Sequence, residues 1–183
     1  MESIHKIIKL GNPLLRFVSE PIPEAAFGTD ELRALERALY KMMKQESGIG
    51  LAAPQIGINQ RAIVFGMDQH PIYKSDTALP FTTLFNPSYE PTSDVCEEAY
   101  EGCLSVGPLR AKVTRYKSIR YRGYDVNGQL IEQTASDLHA RCVQHEVDHL
   151  NGIIFLDKVT NHDSLGFIEE LLQSGAIQLN KTD

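Results

Sequence analysis

The segment Gln144-His145-Glu146-Val147-Asp148-His149 holds the residues of this chain best suited to chemistry. On a helix, two histidines four residues apart stand about one turn apart and only ~40° apart around the axis. Both imidazoles then reach a single metal ion, and Glu146 is placed to work on a ligand of that ion. The spacing His-Glu-x-x-His is a signature of metal-dependent hydrolysis. In that chemistry a divalent ion acidifies water and the carboxylate handles the proton. The competing reading is a chance pattern on a surface helix with solvated histidines.

The helix that must carry these residues runs from about Ser136 to Leu150. Mapped at 100° per residue, Leu138, Cys142, His145 and His149 share one side, with Glu146 at its border. Val143, Val147 and Leu150 cover nearly the opposite side. Asp137, Arg141, Gln144 and Asp148 form the one polar stripe, and Asp137 is spaced to pair with Arg141. A helix apolar around most of its circumference is buried. Buried histidines need partners, and a metal would serve.

A catalytic site of this type has three protein ligands and one open position. The extended pattern H-E-x-x-H-x-x-G-x-x-H is met as far as Gly152, but its last position is Phe155, so no third histidine comes from there. Glu169 or Glu170 would suit a thermolysin-like arrangement, although they sit on the polar face of a terminal amphipathic helix. Cys142, three residues before His145, is either a ligand or a small core residue. Cys103 lies in a glycine-flanked segment that could bring in a thiolate. Spacing alone does not choose among these. A closed site with a fourth ligand such as Cys142 or Cys96 would instead be a structural metal centre.

The remaining elements follow in order. Residues 1–28, with Ile4, Ile7, Ile8 and Leu10 and the breakers Pro21 and Pro23, read as an extended arm. Residues 29–46 form a surface helix capped by Thr29 and ended by Gly48, with the apolar stripe Leu32, Leu35, Leu39, Met42 and Met43. Gly48 to Ala53 matches G-x-G-x-x-A, but a helix precedes it and Pro54 follows, so it is no dinucleotide loop. It reads as a tight loop that lets another backbone approach, carrying the amide of Gln55. Strands are expected at Arg61–Phe65, around Thr82–Phe85 before an Asn86-Pro87 turn, over Lys112–Tyr124, and at Gln129–Gln133 after an Asp125–Gly128 hairpin turn. Residues 67–81 read as a loop. Ile153–Leu156 reads as a strand after the C-cap at Asn151-Gly152, and a helix over about 163–174 precedes a polar tail. No repeat or linker appears, so residues 1–183 are expected to be one domain.

Composition narrows the classes. A formal net charge of −6 gives no nucleic-acid-binding character, and no apolar run spans a bilayer. The N-terminus resembles neither a secretory signal nor a transit peptide. Three cysteines (Cys96, Cys103, Cys142) argue against a disulfide framework and for a reducing cytoplasm.

Three segments together resemble the bacterial-type peptide deformylase family: Gly48-Ile-Gly50-Leu-Ala-Ala-Pro-Gln55, Glu101-Gly-Cys103-Leu104-Ser105, and Gln144-His145-Glu146-Val-Asp-His149-Leu-Asn-Gly152. The resemblance runs from about residue 4 to 160. It implies an α+β fold, with antiparallel β-sheets packed around a central buried helix carrying the histidines. It also implies Cys103, His145 and His149 as metal ligands, Glu146 as general base and acid, and the Gln55 amide and Leu104 backbone N–H as donors to the oxyanion. Its reaction is hydrolysis of formylmethionyl chain ends to formate and a free amine. The implied metal is one Fe(2+) per chain, with Ni(2+), Co(2+) or Zn(2+) as substitutes; the ligand types alone suggest zinc.

Under the same resemblance a peptide lies extended along Gly48-Ile49-Gly50. Leu138, Cys142, Ile49 and Leu104 are candidates for the methionine pocket, with core packing as the competing explanation. Arg110 is either a substrate contact or a solvated surface arginine. The implied partners are formylmethionyl nascent chains, with the ribosome nearby. Two features depart from the family: Gly107-Pro108 stands where Pro-Gly is common, and the basic helix with which many bacterial members dock on the ribosome is replaced by a segment containing Glu169 and Glu170.

Overall fold

Helix α1, Asp30–Gln45, opens the ordered framework of the computed structural model, which describes residues 6–67 and 79–179. Thr29 caps it as expected, its hydroxyl accepting from the Leu32 N–H at 3.3 Å. The stripe Leu32, Leu35, Leu39, Met42 and Met43 is buried. It packs with Leu51, Val64, Phe85 and the arm residues Ile7 and Ile22. Each such side chain contributes about 1.5–3 kcal/mol on leaving water.

A five-stranded antiparallel sheet forms in the order β1 (Gly50–Ala52), β2 (Ala62–Met67), β3 (Leu79–Pro91), β6 (Ser118–Tyr124) and β7 (Leu130–Ser136). A second, three-stranded antiparallel sheet contains β4 (Cys96–Cys103), β5 (Gly107–Tyr116) and β8 (Gly166–Phe167). Helix α2, Asp137–Leu150, packs against strands of both sheets. On the larger sheet Val143, Val147 and Leu150 meet Ile63, Phe65, Leu84 and Ile119. Leu15, Cys103, Ala111, Val113, Ile154 and Phe155 make a separate core on the smaller sheet.

Several boundaries differ from the sequence expectation, each for a visible reason. The Asn86-Pro87 pair does not turn the chain. Strand β3 continues through it with a register shift between Phe85 and Ser88. Asn86, at φ 51°, spends its amide on the backbone of Ile22. The stretch Lys112–Tyr124 is divided at Lys117 between the two sheets. Ile153–Leu156 is no strand: Asp157 accepts the Ile154 N–H and starts a 3-10 turn, Phe155–Lys158, so the apolar residues are buried without a ladder. The terminal helix shortens to α3, Ile168–Gln173, because Gly166–Phe167 pairs with Leu109 and Arg110 on the edge of β5. Of the expected 67–81 loop, Met67 ends β2 and residues 79–81 begin β3, while residues 68–78 lie outside the described residues, as do Ile4 of the arm and the end of the polar tail, 180–183.

Candidate metal centre

Helix α2 sets the two histidines as their spacing requires, with ring centroids 5.0 Å apart. Cys103 arrives from the other sheet. It ends β4, and the Val106 N–H donates to its carbonyl at 3.0 Å to close the turn into β5. Gly107 starts β5 at φ 91°, a left-handed conformation for which glycine is favoured, so the Gly107-Pro108 order puts glycine where the hairpin needs it. The Cys103 Sγ lies 3.3 Å from His149 Nε2. Ligand atoms of Cys103, His145 and His149 all lie within 4.8 Å of one another.

Charge favours a thiolate there. Burial pushes the Cys103 thiol up, but the imidazoles of His149 and His145 outweigh it and hold it well below its ordinary value. At Cys142 the balance reverses. Burial and the neighbouring Glu146 carboxylate push that thiol well above the ordinary value, and it donates to the Ile49 carbonyl at 3.6 Å. A thiol held neutral is a poor metal ligand. Glu169 and Glu170 are exposed on α3, and Cys96 is exposed on β4. Among the described residues, the group that converges is Cys103, His145 and His149.

A soft thiolate with two imidazoles is a donor set for a divalent transition metal. The surroundings fit that use. Glu101 binds His145 Nδ1 at 2.9 Å, which leaves Nε2 for the site. Glu101 is itself fixed from three sides. Arg115 Nε and Nη2 donate to it, both at 2.9 Å, and Arg141 Nη1 donates at 2.8 Å. Burial alone would raise the Glu101 carboxyl, but the bonds from Arg115 and His145 hold it far below the carboxylate range. Arg115 also bonds Asp148 on α2, so the network ties β4, β5 and α2 together.

Glu146 stands apart from this network. Its carboxyl is pushed up to about 7 by burial, with His145 and His149 drawing it partly back. Its Oε2 is buried without a hydrogen-bond partner, as suits a carboxylate that exchanges a proton with water or substrate. Strand β1 crosses directly over it. A Cβ on Gly50 would stand 2.9 Å from both the Cys142 Sγ and the Glu146 carboxyl carbon.

Gln55, on the 3-10 turn Ala53–Ile56, is held in one orientation. Its Oε1 accepts the Ala52 N–H at 2.8 Å, so its NH2 faces Cys103 at 3.4 Å and Ser105 Oγ at 3.3 Å. The amide therefore presents a donor to the centre. A cleft of about 300 Å³ opens here, lined by Gly48, Ile49, Gly50, Leu104, Leu138 and Cys142 among others. Arg110 also lines it. Its Nη1 donates to the carbonyls of Gly107 and Leu109, both at 2.9 Å, and its guanidinium covers Gly102. Every residue that the family resemblance assigns to the site lines this cleft or, in the case of His149, lies buried beside it, whereas the alternatives Cys96, Glu169 and Glu170 do not.

One expected contact is absent. Arg141 does not pair with Asp137, which sits at φ 54° and faces Lys117 at 3.8 Å. Arg141 turns inward to Glu101 and to the carbonyls of Val113 and Glu97. The polar stripe of α2 is accordingly buried at Arg141, Gln144 and Asp148. The roles of Glu101 and Arg115 escaped the sequence reading, although strand alternation contained both. Glu101 lies two residues before Cys103 on one strand, and Arg115 continues the inward series Ala111, Val113 on the next.

Comparison with known proteins identifies relatives of this chain. The profile of the family described as polypeptide deformylase matches residues 4–164. Peptide deformylase 1 of Bordetella pertussis is 45% identical over 168 residues, covering 92% of this chain and 94% of that protein. Peptide deformylase 2 of Pseudomonas syringae pv. tomato is 43% identical over 166 residues, covering 91% and 93%. Among solved structures, the class I type b peptide deformylase of Acinetobacter baumannii with Met-Ala-Ser bound superposes with TM-score 0.82 at 30% identity, over 87% of this chain and all of that one. The peptide deformylase of Synechococcus elongatus in complex with actinonin gives TM-score 0.77 at 34% identity, over 96% and 87%.

Proposed function

The chain belongs to the polypeptide deformylase family, and from that premise we propose that Cys103, His145 and His149 hold its metal while Glu146, Gln55 and Leu104 carry out the reaction around it. As a peptide deformylase it is a metal-dependent hydrolase that removes the N-terminal formyl group from formylmethionine of nascent polypeptides, releasing formate. The observation that carries the site assignment is the convergence of one acidified thiol and two imidazoles beside an unpartnered, buried Glu146 oxygen.

When bound, the metal supplies Lewis acidity and makes water acidic enough to react near neutral pH. Glu146 takes the proton of the attacking water and passes it to the departing amine, work that suits a carboxyl held at about 7. The Gln55 NH2 and the Leu104 N–H stabilise the negative charge that develops on the formyl oxygen. The neutral amide does so without drawing a proton from the nucleophile. Strand β1 pairs on one side with β2 and is the edge of its sheet, so an extended peptide can add along Gly48–Gly50. The Met-Ala-Ser peptide in the Acinetobacter relative supports a methionine side chain entering the cleft beside Ile49, Leu104, Leu138 and Cys142. Arg110 borders that cleft as a substrate contact.

The proposed architecture is one domain in which the sheets pack around α2 as its central, motif-bearing helix. Iron(II) is the proposed native metal by family habit, with zinc, nickel or cobalt as replacements. The proposed setting is the cytoplasm, where the substrates are emerging formylmethionyl chain ends. Among the described residues no helix is long and apolar enough to cross a membrane. Metal content tests the ligand assignment. Cys103→Ala loses the metal while Glu169→Ala/Glu170→Ala keeps it, and metal retained at full stoichiometry by the cysteine variant overturns the assignment.

A further inference from the structure

Three consecutive residues of the N-terminal arm hold both segments that supply the oxyanion donors. The Ile8 N–H donates to the Gln55 carbonyl at 2.9 Å, and the Leu10 N–H donates to the Ser105 carbonyl at 2.8 Å. Between them the Lys9 ammonium donates to the Leu104 carbonyl at 2.8 Å. The Gln55 segment belongs to a 3-10 turn after the larger sheet's edge strand, whereas Leu104 and Ser105 form the hairpin turn of the smaller sheet. Few bonds join these two turns directly; the Gln55 NH2 to Ser105 Oγ contact is one. Within the arm the Asn12 N–H donates to the Lys9 carbonyl at 3.0 Å, turning the chain just after these contacts.

We propose that residues 8–10 form a clamp that sets the distance and angle between the Gln55 and Leu104 donors, with Lys9 as a positioning residue. The inference rests on the reading of Gln55 and Leu104 as oxyanion donors. Oxyanion donors act only if aimed in advance at the position where charge develops. A turn such as Leu104–Val106, closed at its base by the Val106 N–H to Cys103 carbonyl bond and the Cys103–Gly107 pair, leaves its inner peptide planes free to rotate. A cationic donor on the Leu104 carbonyl and an amide on the Ser105 carbonyl fix the two peptides that follow Leu104, and through the Leu104 backbone they limit the direction of its own N–H. Lys9 is exposed at the edge of the cleft, which it helps to line, so its bond adds little to global stability. Its effect is local, on residues 103–106.

The test compares Lys9→Met, Lys9→Arg and Gln55→Ala in the metal-loaded protein. The readouts are kcat and KM on a formyl-Met peptide, thermal midpoint, and backbone hydrogen exchange over residues 103–106. Removing an oxyanion donor outright costs about 10²–10³ in kcat, and loosening one costs a fraction of that, on the order of tenfold. Lys9→Met is expected to lower kcat about tenfold at unchanged KM and thermal midpoint, with faster exchange over 103–106. Lys9→Arg restores most of the kcat. The clamp is overturned if Lys9→Met keeps wild-type kcat, if it raises KM alone, or if its loss follows the thermal midpoint and arginine does not rescue it. A Gln55→Ala variant with wild-type kcat overturns instead the donor reading on which the clamp depends.

Discussion

Replacing Glu101 by glutamine removes the charge at the centre of the buried network while keeping its shape. The carboxylate accepts two bonds from Arg115, one from Arg141 and one from His145. Its side chain is 4% exposed, and those of Arg115 and Arg141 are 3% and 8% exposed. In Glu101→Gln, Arg115 retains Asp148 as a partner, but Arg141 keeps no bonded carboxylate among those described, and the new NH2 group turns a donor toward other donors. Removing one member of a buried ion pair costs about 3–5 kcal/mol. For a chain of this size, 1 kcal/mol moves the thermal midpoint by about 2–4 °C, so the expected fall is roughly 6–20 °C. His145 also loses the acceptor that fixes its ring, and loss of such a partner weakens metal binding about 10–100-fold. The assays are urea unfolding of the metal-free protein and metal competition against a chelator. A variant within about 1 kcal/mol of wild type that also holds metal equally tightly refutes the reasoning, since typical exposed pairs contribute no more than that.

Gly50→Ala places a methyl group against the Cys142 sulfur and the Glu146 carboxyl, and an error of about 1 Å at a reacting group costs about 10²-fold. The variant is expected to lose about that much kcat/KM while keeping its metal, and steady-state kinetics with metal analysis would reveal an unaffected site. Asp157 provides a pH-dependent case. Burial pulls its carboxyl up, but Arg16 and the Ile154 N–H outweigh burial and hold it below its ordinary value. A depressed carboxyl stabilises the fold above its unfolded-state pKa, about 3.9, and that stabilisation disappears as pH falls through the folded-state value. The urea midpoints of wild type and Asp157→Asn should therefore differ at neutral pH and converge in acid. The difference is small because the pair is partly exposed, and an acid-independent gap would contradict the assignment.

Much of the candidate site could be read from the sequence because its signals are local. The spacing of His145 and His149 survives any tertiary arrangement of their helix, and the apolar circumference of α2 required burial. What the residues alone left open was the third candidate ligand, because Cys103 reaches the histidines from the other sheet and no periodicity encodes that meeting. The charge network was hidden for a related reason. Arg141 and Asp148 look like surface residues until β4 and β5 supply their partners, and Asp137 looked like the local partner of Arg141 until its φ of 54° turned it away. The shortened terminal helix and the missing strand at Ile153–Leu156 have the same origin. An edge on β5 captured Gly166–Phe167, and the Asp157 turn captured Ile154, each overriding a local preference.

Formate release from formyl-Met-Ala-Ser, followed without oxygen for wild type and Glu146→Ala at equal metal content, tests the central claim most directly. General acid and base catalysis contributes about 10²–10⁴-fold. Wild type is predicted to release formate, and the variant to retain its metal and lose that factor in kcat. Equal turnover by both proteins, or no turnover by either with metal bound, would contradict the account.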